Sequence, residues 1–565
     1  MNVLCRAAWA VVSASALISS TASAQSSLVA LAPPNGSYAS PISAYVSDDG
    51  NVTAATLTLT SGGTNLGYRV VRWDGTAASA PLPTSFNNVG YANALVSCLD
   101  GSGTRIYGYN AKYNGATDLG SRPVRWTGTS GQELAVFSTS PAGFSSGLAA
   151  ACTPSGTDAV GNARRYTGGV DVGLRAARWD GAGLHELPCV TLSNTGVGAG
   201  QAYDISDSGT VVAGYSRRYN GATDLGFRAV RWVNDVPTEL PIPSVGPAGV
   251  GSSVAVSISG DGSVIAGYAT KYSGATDLGS RAVRWASGAT TELPALSTTN
   301  AGVSTAAANL VTDDGSYVVG YSYRYQGNTF LNYHAVRWNA AGQAEDLGTI
   351  GGVDGNSYPA DASSDGQIIV GTSANTGAGG TACVWVGGQA RSLYSLLKDE
   401  YGLDVTGWSF SSATSCSRDG SVIVGLGTFN GASTVFKATT SFSPKRVLDA
   451  RPLGPSASLY AYYGYLYGYT AYAAYPANAY LTYGFYYAYY AYLYDYYAGQ
   501  VTYVNQGQYP AQLAIYRGYR YNQAVSSYYA YLYAYYGSTV NYDGTVYYAM
   551  LLNYYAFYYG YYDSV

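Results

Sequence analysis

The chain has 565 residues, of which 47% are hydrophobic and only 11% are charged, and its formal net charge at pH 7 is -4. A chain of this length exceeds what one compact core supports, so repeated units or several domains are expected. The sparse, slightly negative charge excludes a nucleic-acid-binding protein, because such a protein needs a basic stripe that displaces counterions from phosphate groups.

The first 24 residues have the layout of a cleaved secretory signal. Arg6 precedes an apolar run over residues 7–18, and small residues at 22–24 precede Gln25. This order predicts export and a mature chain that begins near Gln25, so we expect a secreted or cell-surface protein. No later apolar run is long enough to predict a membrane-spanning helix.

Tryptophans return along the chain at a fixed spacing of 53 residues. A period of this length is typical of a supersecondary unit that is stacked many times. We therefore interpret these tryptophans as structural markers of a repeat. The series is Trp73, Trp126, Trp179, Trp232, Trp285 and Trp338, with Trp385 as a degenerate member 47 residues further on.

One repeat, taken as the template, contains the signals of four short strands. Residues 256–259 and 263–268 flank Gly260-Asp261-Gly262, and the Asp-Gly pair suits the positive φ of a hairpin turn. Residues 281–285 and 291–294 provide the third and fourth strands. Four antiparallel strands in one repeat are typical of a β-propeller blade.

Turn glycines count the repeats independently of the tryptophans, and eight such turns occur. The final repeat lacks a fourth strand, whereas residues 27–33 resemble a fourth strand whose first three are missing. The N-terminal strand can therefore complete the last sheet and remove its open edges. We predict an all-β fold over residues 25–443: an eight-bladed β-propeller closed by its N-terminal strand, with seven blades as the alternative.

The hairpin and the strand that follows it resemble the HAF-repeat extracellular proteins, which are named after a His-Ala-Phe motif. The nearest match is His-Ala-Val-Arg-Trp at residues 334–338. Other repeats place Arg122, Arg175, Arg228 or Arg281 at the histidine position. The resemblance covers about residues 26–440. It implies a secreted or surface-exposed propeller-like domain and no particular biochemical activity.

Residues 457–565, after a linker at 444–456, have a different composition. They contain 38 of the 59 tyrosines, interleaved with Ala, Leu and Gly, and only five charged residues. The spacing of the helix breakers favours helices near 457–475, 478–498, 523–537 and 545–562. Tyrosines at period two leave membrane-type strands and a low-complexity tail as alternatives. Dense phenol rings suit adsorption, carbohydrate stacking and self-association.

Carboxylates recur in the loops between the second and third strands of the repeats. Loop oxygens of this kind are suited to calcium or a sugar, but one carboxylate per loop is few for calcium, and a local Asx turn accounts for them without a ligand. We take them as candidate binding residues. They are Asp118, Asp171, Asp224 and Asp277.

The sequence predicts no catalytic residue, no metal site and no cofactor. The two histidines, His185 and His334, lie in different repeats, and no pair of acids stands out from the repeat pattern. Five cysteines follow the signal segment without Cys-x-x-Cys spacing, which favours free thiols. Cys98 and Cys152 have near-corresponding positions in consecutive repeats, so a bridge between them is the alternative.

These observations predict a secreted or cell-surface repeat protein that acts as a binding, adhesion or extracellular structural module. A carbohydrate, a surface or a protein is the expected ligand, and the tyrosine-rich region is expected to attach the protein or to self-associate. A carbohydrate-active propeller enzyme is one alternative. An envelope protein anchored through its C-terminal region is another.

Overall fold

The computed structural model describes residues 26–34, 38–79, 85–350, 355–374, 380–440, 445–446, 456–503 and 509–564. The chain divides into two compact units, Met1–Phe442 and Ser443–Val565. The predicted signal segment lies outside the described residues. We describe each unit by itself.

The first unit consists of four-stranded groups, which we number as sheets I to VIII in chain order. Sheet VIII contains the first strand of the chain together with the last three, namely β1 (Ser27–Leu31), β30 (Trp408–Cys416), β31 (Val422–Phe429) and β32 (Ala432–Thr439). Sheet I contains β2 (Tyr38–Val46), β3 (Val52–Ser61), β4 (Thr64–Asp74) and β5 (Ala77–Ala78), and sheet II contains β6 (Ala92–Leu99), β7 (Arg105–Asn114), β8 (Thr117–Thr127) and β9 (Ser130–Glu133). Sheet III contains β10 (Gly147–Cys152), β11 (Ala159–Thr167), β12 (Val170–Asp180) and β13 (Gly183–Leu187), and sheet IV contains β14 (Gly200–Ile205), β15 (Val211–Asn220), β16 (Thr223–Val233) and β17 (Val236–Glu239). Sheet V contains β18 (Ser253–Ile258), β19 (Val264–Ser273), β20 (Thr276–Ala286) and β21 (Ala289–Glu292). Sheet VI contains β22 (Ala306–Val311), β23 (Tyr317–Gln326), β24 (Thr329–Asn339) and β25 (Ala344–Asp346). Sheet VII contains β26 (Asn356–Ala362), β27 (Ile368–Ala374), β28 (Thr381–Val386) and β29 (Gln389–Ser392).

Within each sheet the strands pair antiparallel, and the turn between the first two strands follows from its sequence. In sheet V, Asp261 Oδ1 accepts hydrogen bonds from the Ser259 hydroxyl at 2.6 Å and from the Ser263 amide at 2.9 Å. Gly262 supplies the positive φ of 75° that this turn requires. The prediction of an all-β repeat unit is confirmed. A short parallel pairing of β4 with β6 additionally joins sheets I and II.

The first strand of the chain lies in the sheet of the last repeat. Ser27 pairs with Thr439 and Leu31 pairs with Val435, with antiparallel register between them. Sheets I and VIII also contact each other, because the Thr414 hydroxyl donates to the Ala44 carbonyl at 2.7 Å. Leu31 is buried in a core cluster to which both sheets contribute.

Backbone hydrogen bonds between hairpin turns connect most of the successive sheets. Seven of the eight turns donate an amide to a carbonyl in the next turn, and the turn of sheet VIII donates to that of sheet I. Pro154, in the turn of sheet III, has no amide hydrogen to donate to sheet IV. The bonds run from Asp49 to Gly101, Gly101 to Pro154, Asp207 to Gly260, Gly260 to Asp313, Asp314 to Ser364, Ser364 to Arg418 and Arg418 to Asp48.

The marker tryptophans are core residues that join neighbouring sheets. The indoles fill the space between neighbouring sheets. In six of the seven, the indole N–H donates to a carbonyl that follows the fourth strand of the preceding sheet. Trp285 donates to Pro241 at 2.8 Å, and Trp73 donates to Ala32, just after β1, at the same distance. The relation of β1 to sheet I is therefore that of any fourth strand to the next sheet. All seven are at most 5% exposed: Trp73, Trp126, Trp179, Trp232, Trp285, Trp338 and Trp385.

Buried arginines on the third strands of sheets I to V make a second connection. In sheet IV, the guanidinium of Arg228 donates to the carbonyls of Leu225, Gly249 and Gly251, of which the last two lead into sheet V. Glu239 on the fourth strand faces its Nε at 3.4 Å. Because a buried guanidinium needs a partner for nearly every N–H group, it fixes the segment that enters the next sheet. The equivalent arginines are Arg69, Arg122, Arg175 and Arg281.

The described residues of the second unit form four helices, α1 (Ser456–Ala474), α2 (Ala479–Gln500), α3 (Tyr509–Ser538) and α4 (Gly544–Ser564), and a short antiparallel pairing of Lys445–Arg446 with Thr502–Tyr503. The predicted helical region is confirmed, and the membrane-type strand alternative is wrong. The third helix begins at Tyr509, well before the predicted 523. α1 contacts α2 and α4 extensively, as does α3, and a smaller contact joins α1 with α3. None of the described helices is long and apolar enough to cross a membrane.

The helices pack through small residues, whereas many tyrosines point outward. At least two alanines lie on the buried side of each helix, so the helix axes can approach closely. A Cβ atom on Gly537 of α3 would meet Leu481 of α2 at 2.5 Å, which shows how little space separates them. The buried alanines are Ala461, Ala471, Ala488, Ala491, Ala498, Ala524, Ala530, Ala534, Ala549 and Ala556.

Two arginines that share Glu239 test the contribution of the buried guanidinium. Arg228 has a side chain that is 3% exposed, while that of Arg218 is 43% exposed. We expect Arg228→Ala to lower the free energy of unfolding by about 2–4 kcal/mol, because it leaves buried carbonyls without donors. Arg218→Ala should lower it by less than about 1 kcal/mol, since exposed ion pairs contribute little. Chemical denaturation of the full chain measures both, and equal losses would contradict the assignment.

Candidate functional site

The structure places the four predicted loop aspartates in separate hairpins, one in each of sheets II to V. Each Oδ1 accepts a hydrogen bond from the backbone amide two residues further on, at 2.7–2.9 Å. Asp171 and Asp224 also form ion pairs with Arg164 and Arg217. These are Asx turns that shape the loop. The four carboxylates are exposed and do not converge on a common cavity, and ligand binding by them stays a prediction.

Acids from other positions converge on one polar cavity of about 250 Å³ between the hairpin turns. Arg418 lies at its centre, with Nε 3.0 Å from Asp313 and Nη2 3.2 Å from Asp207. Asp48 is 3.7 Å away. Residues distant in sequence thus share a single guanidinium. Burial raises the pKa of Asp48 and of Asp313 despite the nearby positive charge.

Asp204 and Asp361 line the same cavity and are the acids with the largest shifts. Burial raises the pKa of each to about 6, and the negative charge of Asp313 adds to the effect. Hydrogen bonds oppose the shift: Asp204 accepts from the Ile258 amide and the Ser257 hydroxyl, both at 2.9 Å. Both acids therefore titrate within the range in which a general acid operates.

Residues at this strand position form hydrogen bonds to the neighbouring sheet, whether or not they are acids. Asp361 accepts from the Cys416 amide at 3.0 Å, and Ser257 accepts from the Val311 amide at 3.1 Å. In every one of these cases a side-chain oxygen receives a backbone amide of the neighbouring sheet. Asp204 and Asp361 thus link sheets, and this role accounts for them without a reaction. Neither acid is predicted from the sequence, because the acids that stand out there are those that recur from repeat to repeat. The departure of Asp204 and Asp361 from the repeat is the signal that could have found them.

Of the histidines and cysteines in the described residues, Cys152 alone lines this cavity. His185 Nε2 lies 3.0 Å from Asp180, and His334 Nδ1 lies 2.7 Å from Asp346. Within the described residues, no cluster of three or more His, Cys, Asp or Glu side chains could hold a metal ion. The Sγ atoms of Cys98 and Cys152 are 2.8 Å apart, and both are free thiols in this structure. The sequence placed these thiols near corresponding positions, and the fold brings them into contact across sheets II and III.

A second cavity, of about 500 Å³, is lined by aromatic and small residues of sheets IV to VII. We call it the aromatic basin. It lies over the first two strands of these sheets and reaches the third strand of sheet V, and no charged side chain is among the residues that line it. They are Tyr203, Val254, Val256, Tyr268, Ser280, Ala307, Ala308, Asn309, Tyr321 and Tyr358.

Comparisons with known proteins show no relative in sequence: no protein-family model and no curated protein matches the chain. Among solved structures, it is similar to the β-propeller domain of the Trilobed protease from Pyrococcus furiosus, at 11% identity and a TM-score of 0.38 over 64% of this chain and 96% of that one. It is similar to the polysaccharide lyase Uly1 at 11% identity and a TM-score of 0.34, over 73% and 91% of the two chains. It is also similar to a puromycin hydrolase mutant at 13% identity and a TM-score of 0.31, over 56% of this chain and only 54% of that one. These likenesses assign no activity to the chain.

The titration of Asp204 predicts a specific pH dependence of stability. Because its pKa in the folded state lies above the ordinary value of 3.8, its contribution is complete below about pH 4 and is lost as the pH rises through about 6. Asp204→Asn cannot ionise. We expect the unfolding free energy of the unmodified chain, relative to this variant, to fall by about 1–3 kcal/mol between pH 4 and 7, measured by denaturation at each pH.

Asp261 provides the matched control with the opposite sign. Hydrogen bonds from Ser259 and Ser263 lower the pKa of Asp261, so its contribution is present at neutral pH and is lost as the pH falls. Asp261→Asn should therefore destabilise the protein more at pH 7 than at pH 3. A pH-independent difference for Asp204→Asn would show that its carboxyl group is not buried in the way described.

Proposed function

We propose that the protein is an exported binding or adhesion protein of the cell surface or extracellular space. Its repeat unit serves as a rigid scaffold, and its helical unit attaches it to a surface or to further copies of itself. The N-terminal signal pattern and the resemblance to HAF-repeat proteins support export. The outward-facing tyrosines of the helical unit are the observation that carries the attachment role.

We further propose that sheets I to VIII are the blades of a closed eight-bladed propeller. The first strands of successive sheets contact each other in turn, and those of sheets VIII and I do so as well. The turn-to-turn backbone bonds and the pairing of β1 with β32 support the same arrangement. Radial closure leaves only short, protected sheet edges, which suits a protein that must stay intact outside the cell.

Leu31 offers a test of ring closure. Leu31 and Leu293 have equivalent positions at the ends of fourth strands, 1% and 0% exposed. We expect either alanine variant to destabilise the first unit by about 2–4 kcal/mol, because each creates a cavity. Hydrogen exchange distinguishes them. In a closed ring, Leu31→Ala accelerates hydrogen exchange both in residues 38–74 and in residues 408–439. These two segments lie at opposite ends of the first unit in sequence.

Leu293→Ala is the control for this experiment, since its core cluster joins sheets V and VI, which follow one another in the chain. Its acceleration should stay within residues 253–346. If Leu31→Ala accelerated exchange in only one of its two sheets, the closed arrangement would be wrong.

Composition explains why the helical unit exposes its aromatic residues. Alanine and glycine fill the interior, so the larger phenol rings must lie on the outside. Tyr483, Tyr486 and Tyr490 of α2 are 55%, 54% and 49% exposed. Apolar rings with hydroxyl groups, with few charges around them to repel a partner, favour adsorption and self-association. A soluble protein without a partner rarely presents so much aromatic surface.

Charge introduced on this surface tests attachment. In cells that make the full-length protein, fractionation should find the unmodified chain in the cell envelope or bound to the cell exterior. The variant Tyr483→Glu, Tyr486→Glu, Tyr490→Glu should remain folded and shift several-fold from the cell-bound fraction into the medium, because charged side chains oppose burial of the surface.

The control carries the same number of glutamates on exposed apolar residues of the first unit, at Val170, Val236 and Phe330, and should stay cell-bound. Retention of the mature chain in the cytoplasm would disprove export. An unchanged distribution of the tyrosine variant would disprove attachment through the helical unit.

A further inference from the structure

The aromatic basin departs from the repeat on which it is built. The bulge position of the first strand carries Tyr203 in sheet IV, whereas sheets V, VI and VII have Val256, Asn309 and Ala360 there. Tyr358 of sheet VII is likewise not repeated, since its equivalents in sheets V and VI are Val254 and Ala307. The fold explains residues that all repeats share. It does not explain Tyr203 and Tyr358.

Two further tyrosines belong to the repeat and are directed by a glycine. Tyr268 and Tyr321 follow Gly267 and Gly320 on the second strands. A Cβ atom on Gly267 would lie 1.9 Å from the Val254 carbonyl of the first strand, so only glycine permits this close approach. The backbone at the bulge thereby holds the next side chain, Tyr268, over the basin.

The rings of the basin are accessible, which separates them from core residues. Tyr268 is 36% exposed and Tyr358 is 44% exposed. The Tyr321 and Tyr358 rings lie 5.3 Å apart between centroids at an angle of 37°, so they form a continuous surface across sheets VI and VII. The cavity volume of about 500 Å³ falls within the range of small-molecule sites.

The polar groups of the basin are neutral hydroxyl and amide groups. Burial raises the pKa of Tyr203 to about 12 and also raises the pKa of Tyr268 and of Tyr321, so these phenols stay protonated and can donate hydrogen bonds. Asn309 adds an amide. The Ser280 hydroxyl is shielded from solvent and has no hydrogen-bond partner among the described residues. An uncharged lining favours an uncharged ligand with several hydroxyl groups.

We propose that the aromatic basin binds a neutral saccharide, with sugar rings stacked on Tyr268 and Tyr358. The C–H face of a sugar packs against an aromatic ring, while its hydroxyl groups bond to neighbouring phenol, amide and serine groups. A charged ligand would find no counter-ion in the lining. A wholly apolar ligand would leave the Ser280 hydroxyl and the phenols unpaired. This site lies in the first unit, so it is independent of attachment by the helical unit.

The test measures binding of the purified full-length chain to soluble malto-, cello-, xylo- and chito-oligosaccharides and to acidic oligogalacturonate, by saturation-transfer NMR and calorimetry. At least one neutral oligosaccharide should bind, and oligogalacturonate should not compete with it. Tyr268→Ala should weaken binding about tenfold through the loss of ring stacking, and Tyr358→Ala should act similarly. Tyr268→Phe keeps the ring and should retain most of the affinity.

Tyr109→Ala is the matched control, because Tyr109 follows Gly108 at the equivalent position of sheet II and does not line the basin. Its affinity should equal that of the unmodified chain, and thermal denaturation checks that each variant is folded. The proposal is overturned if no neutral oligosaccharide binds at millimolar concentration, if only the acidic one binds, or if Tyr109→Ala weakens binding as much as Tyr268→Ala. None of these results depends on where the cell places the protein.

Discussion

The arrangement of the first unit depends on satisfying polar groups where two sheets meet. A buried guanidinium on the third strand, as in Arg228, donates hydrogen bonds to carbonyls of the segment that enters the next sheet. In return, an indole N–H on the third strand of that next sheet, as in Trp285, donates to a carbonyl that follows the fourth strand of the preceding sheet. Leaving any of these groups unpaired in a buried interface would be costly. The hydrogen bonds therefore set the position of each sheet relative to its neighbour, and apolar packing fills the space between them.

The same constraint explains why Asp204 and Asp361 tolerate an environment that disfavours their charge. Each accepts a hydrogen bond from a backbone amide of the adjacent sheet, as Ser257 does in sheet V. A serine makes this bond without a charge, so the two acids carry a desolvation penalty that serine avoids. Arg418, surrounded by Asp48, Asp207 and Asp313, offsets part of the negative charge that collects at the hairpin turns.

The two units solve the packing problem in opposite ways. In the repeat unit the largest side chains, the marker tryptophans, lie between sheets. In the helical unit the smallest side chains lie inside and the tyrosines cover the outside. Arg520, 1% exposed and bonded to the Tyr516 hydroxyl at 2.9 Å and to Gln523 at 2.7 Å, is an exception within this alanine-rich interior.

The sequence by itself determined the repeat, the strand order within each repeat and the fourth-strand character of residues 27–33, because Asp-Gly turns and alternating apolar residues act locally and the marker tryptophans recur at a fixed spacing. It also indicated helices after residue 456, although the start of α3 at Tyr509 escaped it, since the breakers around residue 518 lie inside the helix. Only the tertiary structure decided which side chains share a cavity. The cluster around Arg418 and the aromatic basin each join residues from several sheets, and such proximity depends on how whole sheets pack against one another.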